Sequence, residues 1–168
     1  MPRDTSFIPS IGPCRASTVA GMSLSTILVL HGPNLNLLGT REPAVYGTAT
    51  LADHVATVRK AAEKIGATVS DLQSNSEGDL VDAIHGAKGV VDAIIINAGA
   101  FTHYSWAIHD ALRSFPGSVI EVHLSNPVAR EEFRHVSVLA GVVDGTISGL
   151  GGIGYSLAVD ALAALAGR

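Results

Sequence analysis

Residues 93–97 read Ala93-Ile94-Ile95-Ile96-Asn97. An apolar run with no polar alternation describes a strand covered on both faces, because a strand with one solvated face alternates. Ile27-Leu28-Val29-Leu30 and Ser118-Val119-Ile120-Glu121-Val122 share the pattern. With two further runs they make a series of five strands: Thr26 to Leu30, Ala67 to Leu72, Ala93 to Ile96, Ser118 to Val122 and Val142 to Ile147. The intervening stretches Leu51 to Ile65, Asp79 to Ala87 and Tyr104 to Ser114, and the final Gly154 to Leu165, carry apolar residues at helical spacing.

Strict alternation of strand and helix is the pattern of a parallel sheet. Crossovers must be right-handed, and the chain is too short for an eight-stranded barrel. The expected fold is therefore α/β: a flavodoxin-like, doubly wound, five-stranded parallel sheet with helices on both faces. At 168 residues the chain fits a single domain, expected over 26–168. Residues 1–25 hold prolines and small polar residues without the continuous apolar core of a secretory signal, and read as a flexible N-terminal extension in which Met22 offers an alternative start.

Composition narrows the function classes. With 47 % hydrophobic and 15 % charged residues the chain has the make-up of an ordered globular protein. Eleven scattered Lys and Arg under a net charge of −4 offer no basic face to nucleic acid. No apolar run approaches the roughly 18 residues of a membrane helix. Cys14 is the single cysteine, so an intrachain disulfide is excluded and a reducing cytoplasm fits.

In an open parallel sheet, ligands bind beyond the C-terminal strand ends. Those positions carry His31-Gly32-Pro33-Asn34 after the first strand, Gln73-Ser74-Asn75-Ser76-Glu77 after the second and Asn97-Ala98-Gly99-Ala100-Phe101-Thr102-His103 after the third. The fourth ends in Glu121-Val122-His123-Leu124-Ser125-Asn126-Pro127. Separate loops thus deliver Asn, His and Glu to one sheet edge.

Each group has a bland alternative. Leu37 to Thr50 is broken by Gly39, Pro43 and Gly47 and reads as a lid holding Arg41, Glu42 and Tyr46, or as an ordinary surface loop. A tyrosine of pKa about 10 is roughly 0.1 % ionised at neutral pH, and a nearby guanidinium lowers that pKa by about one to three units. Arg41 therefore makes Tyr46 a credible base. Glu121 and His123 share strand parity, which suits a carboxylate that orients and charges an imidazole, or a satisfied histidine beside a solvated Glu. Leu124-Ser125-Asn126-Pro127 is expected to open a helix whose free N–H groups would hold a carboxylate, with Arg130 and Arg134 one turn apart. Those arginines alternatively pair with Glu131 and Glu132 on a solvated face. Asn97 and His103 suit hydrogen bonds to substrate hydroxyls, or Asn97 caps a turn. Asp110 meets solvent or another subunit.

Gly149-Leu150-Gly151-Gly152-Ile153-Gly154 matches G-x-G-x-x-G, which admits a nucleotide- or flavin-binding module as the runner-up. It opens the last helix, with no following strand and no acidic residue about 20 positions on to hold a ribose, so it reads as tight strand-to-helix packing. A third class is a catalytically silent oligomer.

The segments HGPNLNLLGTREPAVYG (31–47), QSNSEG (73–78), NAGAFTHYSWAIHDA (97–111) and IEVHLSNPVAREEFRHVS (120–137), in this order, closely resemble the type II 3-dehydroquinate dehydratases. The resemblance covers Thr26 to Ala166. It implies cofactor-free elimination of water from 3-dehydroquinate to give 3-dehydroshikimate, the shikimate-pathway step toward chorismate and the aromatic amino acids. By family correspondence Tyr46 is the base, Arg41 favours its phenolate, Asn34 stabilises the enolate through an ordered water, and His123 is the acid oriented by Glu121. Asn97 and His103 correspond to substrate-hydroxyl contacts, the amides of Leu124 and Ser125 to the carboxylate site, and Arg134 to a substrate-binding arginine. Asp110 corresponds to a residue reaching a neighbouring subunit's site, in a homo-oligomer of trimers gathered into a dodecamer. His31, Phe101 and Tyr104-Ser105-Trp106 depart from the usual pattern, and none of them replaces a catalytic residue.

An unrelated type I enzyme class catalyses the same reaction through a lysine imine. Lys60, Lys64 and Lys88 all fall in helices or at their ends, away from the strand termini. No Asp, His and Cys cluster has metal-ligand spacing, so no metal is expected, and the resemblance implies no cofactor.

Overall fold

Ala93–Asn97 is buried at all five positions and forms the middle strand of the sheet. The structure is a computed structural model that describes residues 24–41 and 47–167. Its strands are β1 (Thr26–His31), β2 (Thr68–Gln73), β3 (Ala93–Asn97), β4 (Ser118–His123) and β5 (Gly145–Ser148). They lie in the order β2-β1-β3-β4-β5 and every pairing is parallel. This is the flavodoxin-like doubly wound order, in which the winding reverses between β1 and β3 and opens a crevice there.

The helices are α1 (Leu51–Glu63), α2 (Glu77–Ala87), α3 (Trp106–Ser114) and α4 (Ile153–Ala166). Strand side chains alternate between the two faces of the sheet. Ile27, Val29, Ala93, Ile95, Ile120 and Val122 pack with Val58 and Ala62 of α1 and with Tyr155, Ala158 and Val159 of α4. Leu30, Ile94, Ile96 and Val119 pack with Leu80 and Ile84 of α2 and Ile108 and Leu112 of α3. The same parity, continued to the strand ends, sends His31 and Asn97 toward the α1/α4 face and Glu121 and His123 toward the α2/α3 face.

Two strand starts differ from the sequence expectation, each through a local competitor for hydrogen bonds. Ala67 closes α1 instead of opening β2, because its N–H donates to Ala62 O at 2.9 Å beyond a left-handed Gly66 at φ 74°. β5 begins at Gly145 and not Val142. The Val142 N–H turns back to Leu139 O at 2.9 Å, and the Asp144 carboxylate accepts the Val119 N–H at 2.8 Å in place of a ladder bond. The start of α1 is fixed by a capping box: Thr50 Oγ1 accepts from the Asp53 N–H at 3.3 Å and Asp53 Oδ2 from the Thr50 N–H at 2.8 Å. Among the described residues no helix is long and apolar enough to cross a membrane.

Candidate active site

The loops after β1 and β3 are locked together by backbone. Gly32 N–H donates to Asn97 O at 2.8 Å, and a Cβ on Gly32 would lie 2.3 Å from Ala98 O, so only glycine permits this approach. Asn34 then turns left-handed at φ 65°, the one non-glycine residue with positive φ among those described. Its N–H donates to Asn75 Oδ1 at 2.8 Å, and Gln73 Nε2 reaches the same oxygen at 3.2 Å. The loop after β2 thereby braces the strained asparagine, and strain held by its surroundings is a mark of a functional position.

A small open cleft lies at these strand ends, where an open parallel sheet binds its ligands. The β1 loop contributes Pro33, Asn34 and Arg41, the β3 loop Asn97, Gly99 and His103, and the β4 loop His123, Leu124, Ser125, Arg130 and Arg134.

On the α2/α3 side Glu121 is fully buried, and His123 Nε2 lies 3.0 Å from Glu121 Oε1. Thr102 Oγ1 donates to Glu121 Oε1 in a short hydrogen bond. Ser137 Oγ donates to Oε2 at 3.2 Å, and Thr146, the cross-strand partner of Glu121, donates to Oε2 at 3.4 Å. Burial alone would raise the Glu121 pKa. The hydrogen bond and charge of His123, with the hydroxyls of Thr102 and Ser137, outweigh it and hold the carboxyl below its ordinary value. An ionised carboxylate only accepts, so His123 carries a proton on Nε2 and keeps Nδ1 as its second nitrogen.

On the α1/α4 side Asn97 Nδ2 lies 3.2 Å from the Tyr155 hydroxyl, which lies 3.0 Å from His31 Nδ1. Burial, with a smaller contribution from nearby His54, lowers the His31 pKa to about 4. Tyr155 is pushed well above the usual phenol value by burial. At the rim, His103 Nδ1 lies 2.8 Å from Val136 O, and the carbonyl fixes this nitrogen as the donor.

Residues 25–163 match the protein family described as Dehydroquinase class II. The chain belongs to that family. A 3-dehydroquinate dehydratase of Ruegeria pomeroyi is 58 % identical over 141 residues, 84 % of this chain and 95 % of the relative. A catabolic 3-dehydroquinase of Aspergillus clavatus is 53 % identical over 138 residues, 82 % of this chain and 92 % of the relative. The crystal structure of the type II dehydroquinase of Propionibacterium acnes superposes with a TM-score of 0.80 at 46 % identity, covering 86 % of this chain and 99 % of that one.

In this class II dehydroquinase the cleft gathers most of the residues singled out from sequence. Asn34, Arg41, Asn97, His103, His123, Leu124, Ser125 and Arg134 line it, and Glu121 stands behind His123. Tyr46 and Glu42 lie outside the described residues. Asp110 is exposed on α3 and is not among the residues lining the cleft.

The helix expected after Leu124 does not form. Residues Pro127–Ala129 and Glu132–Arg134 are two short 3-10 turns, separated by an extended Arg130 at φ −117°, ψ −156°. Gly149 N–H donates to the carbonyls of His123 and Ser125 at 3.2 and 3.1 Å, and Gly151 N–H to that of Leu124 at 2.9 Å. These bonds occupy carbonyls that a helix would need, and Asn126 Oδ1 caps the Val128 N–H at 3.1 Å. No helix dipole therefore aims at the cleft from this loop, and a carboxylate there would meet individual N–H groups and the arginines. Arg134 lines the cleft while donating through Nε to Glu131 Oε2 at 2.7 Å, and Arg130, which also lines it, has its Nε 3.5 Å from the same oxygen.

Sequence reasoning passed over Thr102, Ser137, Thr146, Asn75 and Tyr155. Thr146 alone had a usable signal, because it pairs with Glu121 once β4 and β5 are taken as neighbours. The Gly149–Gly154 loop joins β5 to α4 as expected. A Cβ on Gly154 would touch Ile147 at 3.4 Å and Val122 at 3.5 Å, which is the tight strand-to-helix packing read from the sequence. Lys60 lies in α1, and Lys64 and Lys88 follow the ends of α1 and α2. Among the described residues no three His, Cys, Asp or Glu side chains converge as a metal site would require.

Proposed function

We propose that this chain is a type II 3-dehydroquinate dehydratase, a hydro-lyase of the shikimate pathway that works through an enolate with Tyr46 as base and His123 as acid. Its curated relatives carry the name 3-dehydroquinate dehydratase. The observation that carries the mechanistic reading is the buried, ionised Glu121 set 3.0 Å from His123 at the edge of a cleft holding Asn34, Asn97, His103 and Arg134.

The Tyr46 phenolate, favoured by Arg41, removes the proton α to the ketone, and the C–H electron pair moves onto the ketone oxygen. Asn34, through an ordered water, holds the enolate oxygen as charge develops. When the ketone re-forms, the C–O bond breaks and the hydroxyl leaves with the proton of protonated His123 as water. The ring keeps a double bond conjugated to the ketone. Glu121 supports the imidazolium during this cycle. Asn97 and His103 hold substrate hydroxyls, and the amides of Leu124 and Ser125 with Arg134 hold the carboxylate.

Purified protein mixed with 3-dehydroquinate is expected to develop the ultraviolet absorbance of a conjugated enone; a rate no greater than buffer overturns the assignment. Tyr46→Phe is expected to abolish that signal with the far-ultraviolet circular dichroism unchanged.

The same reading includes a single catalytic domain over 26–168, a cytoplasmic setting and a homo-oligomer, a dodecamer of four trimers. The exposed Tyr104 and Trp106 beside Asp110 support a covered α3 face. Light scattering is expected to give twelve times the chain mass, and a monomer would remove the role of Asp110.

A further inference from the structure

Asn97 has a carboxamide whose two ends are opposite in function: one accepts hydrogen bonds and the other donates them. Its local partners determine which end is which. The Gly99 N–H can only donate, and it lies 3.2 Å from Asn97 Oδ1. The oxygen is thereby assigned, and Nδ2 is the end that faces the Tyr155 hydroxyl at 3.2 Å. A phenol that accepts from Nδ2 has its own proton left for His31 Nδ1, 3.0 Å away. His31 must then be the tautomer protonated on Nε2, with Nδ1 as acceptor.

We propose that Tyr155 and His31 are positioning residues: a buried donor chain running from Asn97 through Tyr155 to His31 fixes the Asn97 carboxamide so that its remaining N–H is the group offered to the cleft. The proposal rests on the reading of Asn97 as a contact to a substrate hydroxyl. His31 and Asn97 are register partners on β1 and β3, Tyr155 rises from α4 on the face to which both point, and Asn97, Tyr155 and His31 are all buried. His54 stacks on the Tyr155 ring at 5.5 Å between centroids and 26° between planes, and the His31 ring lies at 5.6 Å. The phenol lies between two imidazoles. A His31 protonated on both nitrogens would set an N–H against the Tyr155 hydroxyl and remove the acceptor at the end of the chain. Burial, which lowers the His31 pKa to about 4, keeps that state out of the neutral range.

Nitrogen NMR of the full chain with labelled histidine reads the tautomer directly. The expected result is Nε2–H on His31, with Nδ1 shifted as a hydrogen-bond acceptor; an Nδ1–H tautomer overturns the chain. This arm stands whether or not the protein turns over 3-dehydroquinate, so its failure is distinct from failure of the dehydratase reading.

In the second arm Tyr155→Phe, which keeps the ring, is expected to raise KM about ten-fold with kcat within about two-fold, the signature of a contact made equally in ground and transition states. Added to Asn97→Ala, the same substitution is expected to change KM less than about two-fold, because the group it positions is gone. An unchanged KM in the single variant, or an equal loss in both backgrounds, overturns the proposal. If Tyr155→Phe does not fold, the tautomer measurement decides alone.

Discussion

The two halves of the cleft are built by the same strand ends and bury their polar groups equally well, yet they settle in opposite charge states. Glu121 and His31 both have no exposed surface. On the α2/α3 side, His123, Thr102, Ser137 and Thr146 converge on one carboxylate, and it stays ionised. On the α1/α4 side, His31 has the Tyr155 hydroxyl on Nδ1 and, among the described residues, no hydrogen-bond partner on Nε2, and its pKa falls to about 4. Burial raises the cost of charge at both places. The number of complementary partners aimed at the charge, donors for a carboxylate and acceptors for an imidazolium, decides whether it survives. The enzyme thus has one side that keeps a buried carboxylate ionised beside an imidazole and another that keeps a buried imidazole neutral.

The largest test of that contrast removes the charged half. His123→Asn is expected to lower kcat by about 10²- to 10⁴-fold, the range for loss of a general acid. Glu121→Gln keeps the shape but places an amide N–H among donors, and is expected to lower kcat by about 10²-fold and stability by about 1–3 kcal/mol. Steady-state enone kinetics and denaturant unfolding read the two effects. A Glu121→Gln enzyme with full kcat would mean that the carboxylate only fills space.

How much of this was legible beforehand follows the distance over which each feature is decided. The runs Ile27-Leu28-Val29-Leu30 and Ala93-Ile94-Ile95-Ile96 announce covered parallel strands locally, and the parity of Glu121 and His123 follows from strand geometry alone. The segment after Leu124 misled because amides 24 to 27 positions away, on Gly149 and Gly151, take the carbonyls a helix needs. Thr102 and Ser137 reach Glu121 across 19 and 16 residues. Tyr155 sits in an apolar helical run where it reads as core, 58 residues from Asn97 and 124 from His31. Local patterns carried the elements and the residues at their tips. The partners that set charge and orientation came from other elements, and nothing in their own neighbourhood marks them.

Acid separates the two halves by a smaller effect. Because the His31 pKa falls from 6.5 to about 4 on folding, the unfolded chain binds a proton in that interval that the native state refuses. Stability therefore rises with pH across this window, and acidification from neutral pH to about pH 4 removes about 3 kcal/mol. His54, lowered by burial, acts in the same direction. Glu121 has the reverse sign: its depressed pKa favours the folded state at all pH above its ordinary value of 4.5, and that contribution declines only as pH falls below it. The neutral half should weaken first and the charged half second. Denaturant midpoints between pH 7 and 4 are expected to flatten in His31→Asn, which removes the titrating ring, while the fall below pH 4.5 persists. If His31→Asn keeps the full slope above pH 4.5, the acid sensitivity belongs to another group, and the contrast between the two halves loses its thermodynamic basis.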